Sequence, residues 1–148
     1  MAQPSSRSPK TVTVAQANAL LPQVIRLLEQ LQGLQRSILA TQQTREESST
    51  KVAAGNGYPV QLLKTRIEEL SQREHQLLDA SQSAFALLEE LGCELKDLSV
   101  GLIDFYGIRS GALVYLCWKL GEPRVQFWHT LEAGYTGRQP LDAKDLLS

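Results

Sequence analysis

Ala17, Leu20, Val24, Leu27, Leu31, Leu34 and Ile38 are separated by alternating steps of three and four residues. That rhythm is the seam of a helix lying along another helix, and it constrains this chain more than any other feature. Leu21, Ile25 and Leu28 widen the stripe. The first helix is expected to begin near Thr13, where Thr13 and Gln16 fit a capping box. Pro22 removes one backbone donor, so a kink or a restart is expected there. The pattern fades over residues 41–58, and Ala53-Ala54-Gly55-Asn56-Gly57 reads as a linker. Pro59 then stands where a helix opens. A second seam follows through Leu63, Ile67, Leu70, Leu77, Ala84, Leu88 and Leu91, with Glu74 and Ser81 filling two of its slots. Gly92 is the expected stop. Two long coiled-coil-like helices joined by a loop read as an antiparallel hairpin over residues 13–91.

The chain then changes character. Of nine aromatic residues, seven fall between Phe105 and Tyr135, and seven of ten glycines lie at or beyond Gly92. Val, Tyr, Phe and Trp runs broken by glycine favour strands. Residues 102–108, 112–119 and 124–131 read as strands, and 93–98 as a short fourth. The expected fold is α+β: the hairpin, then a three- to four-stranded antiparallel meander over 93–131. One domain spans 12–141, between a disordered Ser/Pro-rich tail at 1–11 and a tail at 142–148.

If a three-residue turn at Arg109-Ser110-Gly111 closes Ile108 onto Ala112, Phe105 faces Tyr115. If the next turn closes Lys119 onto Arg124, Tyr115 faces Trp128. The row Phe105, Tyr115, Trp128 then shares a face with Cys117, while Asp104 and His129 lie on the other. Both faces are too apolar for either to stand in water. The surplus face calls for the segment after Ala133, a ligand or a second copy, and a symmetric homodimer or another protein partner is the expectation.

Asp104, between Ile103 and Phe105, needs a partner, and Arg138, Arg109 and His129 qualify. A structural pair with Arg138 or Arg109 is expected. His129, with Glu132 or Asp104 to orient it, has the makings of a general base, but no nucleophile motif accompanies it. The register separates Cys117 from His129 and argues against a Cys–His enzyme. His129, Asp104, Glu132 and His75 lack metal-ligand spacing, and the two cysteines, Cys93 and Cys117, form no zinc motif. Gly134, Gly137 and Arg138 could form an anion-holding turn. No catalytic residue, metal or cofactor is assigned. The leading expectation is a non-enzymatic interaction module using the hairpin and the aromatic face. The alternative is a small-ligand- or metal-dependent enzyme built around Asp104, His129, Glu132 and Arg138.

The net charge of −1 and the pI near 6.1 argue against a nucleic-acid binder. No apolar run reaches the roughly 20 residues of a membrane span. The start has no apolar signal core, so a reducing cytoplasm with free thiols is expected. The run from Leu91 to Phe105, then Val114 to Pro123, Trp128-His129 and Gly134 to Pro140, resembles the bacterial domain-of-unknown-function family numbered 2203. Ala15 to Pro22 resembles that family's opening, which usually carries an acidic residue where Gln16 stands. The resemblance covers residues 12–141, implies a small cytoplasmic bacterial protein, and supplies no catalytic residue.

Overall fold

The structure is a computed structural model describing residues 9–146 except Asn56 and Tyr58. The expected tail over 1–8, and Leu147 and Ser148, lie outside the described residues. Helix α1 spans Val14–Ala54 and α2 spans Val60–Glu90, and the two pack against each other. The α1 cap is the box anticipated: Thr13 Oγ1 accepts from the Gln16 amide at 3.1 Å, and Gln16 Oε1 accepts from the Thr13 amide at 2.9 Å. Pro22 lies inside α1 without ending it.

Two details of the hairpin differ from expectation. The buried line of α1 is Val14, Ala17, Leu21, Val24, Leu28 and Leu31, with Leu20 and Leu27 only half-buried beside it. Helix α1 also continues through the polar stretch to Ala54. There the seam is kept by Thr41, Gln42, Arg45, Ser48 and Val52, whose spacing is helical though most of their side chains are polar. The α2 seam follows the anticipated positions, including Glu74 and Ser81. Glu74 accepts a hydrogen bond from Gln42 Nε2 at 2.5 Å and pairs with Arg45. Gly92, at φ +89°, ends the helical run.

The chain forms two compact units: residues 29–86, the outer part of the hairpin, and a second unit of residues up to Leu28 and from Leu87 onward. The second contains a sheet of β1 (Cys93–Asp97), β2 (Leu102–Arg109), β3 (Ala112–Lys119), β4 (Phe127–His129) and β5 (Gln139–Pro140). The strands lie side by side in that order, each antiparallel to the next. The α+β class holds, with five strands rather than three or four. The added strand comes from the segment beyond Ala133. Thr11 bridges to Tyr106, so the N-terminal segment is tied down from there. A single helical turn, α3 (Ala143–Leu146), follows the sheet. Arg109 meets Asp145 at 3.1 Å and Asp142 at 3.5 Å.

The register is one residue away from the expected one. The β2–β3 turn has two residues, Ser110 at φ +51° and Gly111 at φ +79°, and pairs Arg109 with Ala112. Two successive left-handed residues match the strand twist. Tyr106 therefore faces Tyr115, and Phe105 faces Leu116. On the other side, Tyr115 faces His129 and Leu116 faces Trp128. The middle strand alone changes faces, because side chains alternate with period two. The row Phe105, Tyr115, Trp128 does not exist. Phe105, with Ile103, Leu116 and Trp118, is buried in the core with Val14, Ala17, Leu21, Val24 and Leu88. Asn18 Oδ1 accepts from the Val125 amide at 2.7 Å, binding α1 to the approach to β4.

Candidate metal centre

The corrected register brings Asp104, Cys117 and His129 onto one face of the sheet, on three adjacent strands. Asp104 lies directly opposite Cys117, and His129 ends β4 opposite Tyr115. All three are buried, and their ligand-type atoms lie within 4.8 Å of one another. Zinc–nitrogen and zinc–oxygen bonds near 2.0–2.2 Å and zinc–sulfur bonds near 2.3 Å put tetrahedral ligand atoms about 3.3–3.8 Å apart. The His129–Asp104 edge, at 3.0 Å, is already shorter than this, so an edge as long as 4.8 Å would have to close by about an ångström around an ion.

The histidine defines the chemistry. Its Nδ1 lies 2.7 Å from the Thr130 carbonyl oxygen, which can only accept, so Nδ1 carries the hydrogen. Nε2 points at Asp104 Oδ2, 3.0 Å away. With Nδ1 holding the only ring hydrogen, Nε2 would offer a lone pair to a carboxylate that, when ionised, offers lone pairs in return. A proton or a cation must sit between them. Asp104 Oδ1 is buried and has no hydrogen-bond partner among the described residues. Burial raises the Asp104 carboxyl above its ordinary range, against the opposing pull of His129, of a hydrogen bond from the Cys117 thiol and of Lys96. Burial also pushes the Cys117 thiol up to about 12, with the Asp104 charge adding to it. Without a metal, this thiol stays protonated at neutral pH.

Two polar groups flank the triad. On one side, the Tyr115 hydroxyl donates to Glu94 Oε2 at 2.8 Å and lies 3.1 Å from the Tyr106 hydroxyl. Lys96 Nζ donates to Glu94 Oε1 at 3.0 Å and sits 4.7 Å above the Tyr115 ring. On the other side, Arg138 grips Glu122 with both guanidinium arms, at 3.1 and 2.5 Å. The guanidinium lies 3.9 Å from the Phe127 ring centre and 4.5 Å from that of Tyr135, with Nη1 3.9 Å from Cys117 Sγ. Glu122 also accepts from the Lys119 amide at 2.9 Å, which fixes Arg138 to the end of β3. A cavity of about 180 Å³ opens beside the triad, lined by Asp104, Cys117 and His129 and by Lys96, Leu102, Tyr115, Leu131, Glu132, Gly134 and Tyr135.

Of the residues anticipated for this site, Asp104 and His129 meet directly and Glu132 lines the same cavity, itself exposed. Arg138 and Arg109 do not pair with Asp104: Arg138 is held by Glu122, and Arg109 by α3 and the Trp128 ring, 4.3 Å away. His129 takes that partnership. Tyr115 walls the site, whereas Phe105 and Trp128 point to the opposite face. His75 is exposed on α2 in the other unit. The Gly134–Arg138 turn spends its amides internally, Gly137 N on Gly134 O and Arg138 N on Tyr135 O, and so makes no anion nest of them. Cys117 is the residue sequence reasoning set aside. Reading Ser110-Gly111 as a two-residue turn would have recovered it.

Searches of curated proteins and of solved structures find no match. No helix among the described residues is long and apolar enough to cross a membrane. One family model matches, over residues 10–141, and its span takes in both helices, all five strands and every residue of the triad. The chain belongs to the DUF2203 family of uncharacterised conserved proteins.

Proposed function

We propose that this protein binds one divalent transition-metal ion of the zinc class through Asp104, Cys117 and His129, and uses the ion's open position to hold a small ligand. The observation that carries this is the His129 arrangement: Nδ1 2.7 Å from the Thr130 carbonyl oxygen, Nε2 3.0 Å from Asp104 Oδ2, and Asp104 Oδ1 without a hydrogen-bond partner among the described residues. Backbone anchoring of the far ring nitrogen is how metal-ligating histidines are held in orientation. A thiolate, an imidazole and a carboxylate form a borderline-soft set suited to Zn²⁺. Three protein ligands with a cavity beside them match the open, catalytic type of zinc site rather than the closed structural type. An ion there would polarise a bound oxygen and make bound water a better nucleophile. Arg138, close to Cys117 Sγ, favours the thiolate that metal binding requires.

For an interaction role, the support left is the set of exposed apolar residues on α2, such as Leu62, Leu78 and Phe85. The aromatic sheet row that motivated a homodimer is absent, so the metal centre is the stronger basis for a function.

The test is metal analysis of protein purified without chelators, followed by Co²⁺ titration of the metal-free form. One ion per chain and a near-ultraviolet thiolate-to-cobalt band are expected. Cys117→Ser should abolish the band, and Cys93→Ser should keep it. Absence of stoichiometric metal together with absence of the band refutes the proposal.

A further inference from the structure

We infer, resting on the metal proposal, that the open coordination position accepts a small monocarboxylate, with one carboxylate oxygen on the ion and the other on Lys96. The triad supplies three donors, so a tetrahedral ion needs one ligand from outside. The adjoining cavity of about 180 Å³ is close in size to cavities that take a benzene-sized molecule, on the order of 150 Å³. Its walls are mainly Leu102, Leu131, Tyr115 and Tyr135, which suit a short hydrocarbon group.

Lys96 gives that cavity its cation. An ammonium has three donors. One is used on Glu94 Oε1 and the group is steadied over the Tyr115 ring, which leaves a donor for a ligand. A divalent ion with one carboxylate and one thiolate is neutral in sum, so the ligand's charge must be met by the wall. Glu94 behind Lys96 and Glu132 at the exposed rim limit how much negative charge the wall tolerates. Lys96 and Glu94 cancel in sum and Glu132 adds a negative charge at the rim, so a second negative charge on a ligand meets more repulsion than a first. The site should therefore prefer a monocarboxylate to inorganic phosphate.

The experiment uses the Co²⁺-loaded full chain, titrated with acetate, butyrate and inorganic phosphate while the visible d–d bands are recorded. Butyrate should shift the bands and bind more tightly than acetate, by about fourfold per buried methylene. Phosphate should produce no shift at the same concentrations. Lys96→Met should weaken butyrate binding to the Co²⁺-loaded form by about tenfold or more, as for loss of a charged hydrogen bond. Lys96 is partly exposed, so circular dichroism of the variant should match wild type. A thiolate-to-cobalt band whose visible partners ignore butyrate up to decimolar concentration overturns this inference alone, as does unchanged butyrate binding in Lys96→Met. Failure to form the thiolate-to-cobalt band overturns the metal proposal and this inference together.

Discussion

Replacing Asp104 by Asn separates a metal centre from a structural ion pair. In the metal-free protein, Nε2 of His129 needs a donor, and an ionised Asp104 has none to give. Where Asp104 is protonated, its O–H supplies that donor. Burial raises the folded carboxyl above its ordinary value of 3.8. The sign follows from linkage: the stabilisation from protonated Asp104 is complete below 3.8 and lost as pH rises through the folded value. Within that window the loss reaches about 1.4 kcal/mol per pH unit. An asparagine amide supplies the N–H with no proton uptake. In EDTA, Asp104→Asn should match wild type in acid and equal or exceed it at pH 7. Asp104→Ala, which leaves Nε2 bare in a dry pocket, should cost about 1–3 kcal/mol, or roughly 2–4 °C in Tm for each kcal/mol. Urea unfolding followed by fluorescence of the buried Trp118 measures both. Metal affinity should fall more than 100-fold in Asp104→Asn, beyond the roughly 10–100-fold seen when only a supporting partner is lost. A loss of about 3 kcal/mol or more in EDTA would mean that a buried carboxylate–imidazolium pair had been broken, and would refute the reasoning.

Arg138→Met strands Glu122, half-buried beneath it, and should cost about 1.5–3 kcal/mol by thermal melting, with weaker Co²⁺ binding through the loss of the cation beside Cys117. Gly107→Ala puts a Cβ 2.9 Å from Leu116 Cγ and should cost about 1–3 kcal/mol in a urea titration. Hydrogen bonds from Lys96, Tyr115 and Tyr106 hold Glu94 below its ordinary 4.5 in spite of its burial. Its contribution is thus present above 4.5 and lost as pH falls through the folded value, so Glu94→Gln should flatten the acid limb of stability plotted against pH.

Local chemistry was legible wherever a side chain and its consequence were neighbours in sequence. Thr13 and Gln16 announced the cap, Gly92 the stop, and the α2 heptad its own buried line. Helix α1 beyond Ala40 was not legible, because Gln42, Arg45 and Ser48 fill its inner positions and polar seams carry no hydrophobic period. The site failed for a different reason. Ser110 is an ordinary residue in a left-handed conformation, which sequence preference assigns to Gly, Asn or Asp. One residue of turn length decided whether Cys117 met Asp104 or faced away. With apolar side chains on both faces of β3, the hydrophobic pattern could not arbitrate. Asp104 was recognised as needing a partner, but the strand order that brought His129 rather than an arginine is a long-range fact.

The polar inner line of the outer hairpin has a kinetic meaning. Beyond Leu31, α1 has no buried apolar residue among those described, and the Glu74 cluster with Gln42 and Arg45 joins it to α2 beside the buried Leu70 and Leu77. Few buried apolar contacts mean a low free energy of local opening. Amide protons of α1 from Gln35 to Ala54 and of α2 from Val60 to Glu69 should therefore exchange through local unwinding of these helices, while those of β2 and β3 wait for global unfolding. Such an arm resembles a repeat array, in which each turn is held by its neighbours alone. Asp104, Cys117 and His129 belong to the other compact unit, and their spacing is set by strand pairing there rather than by the number of heptads here.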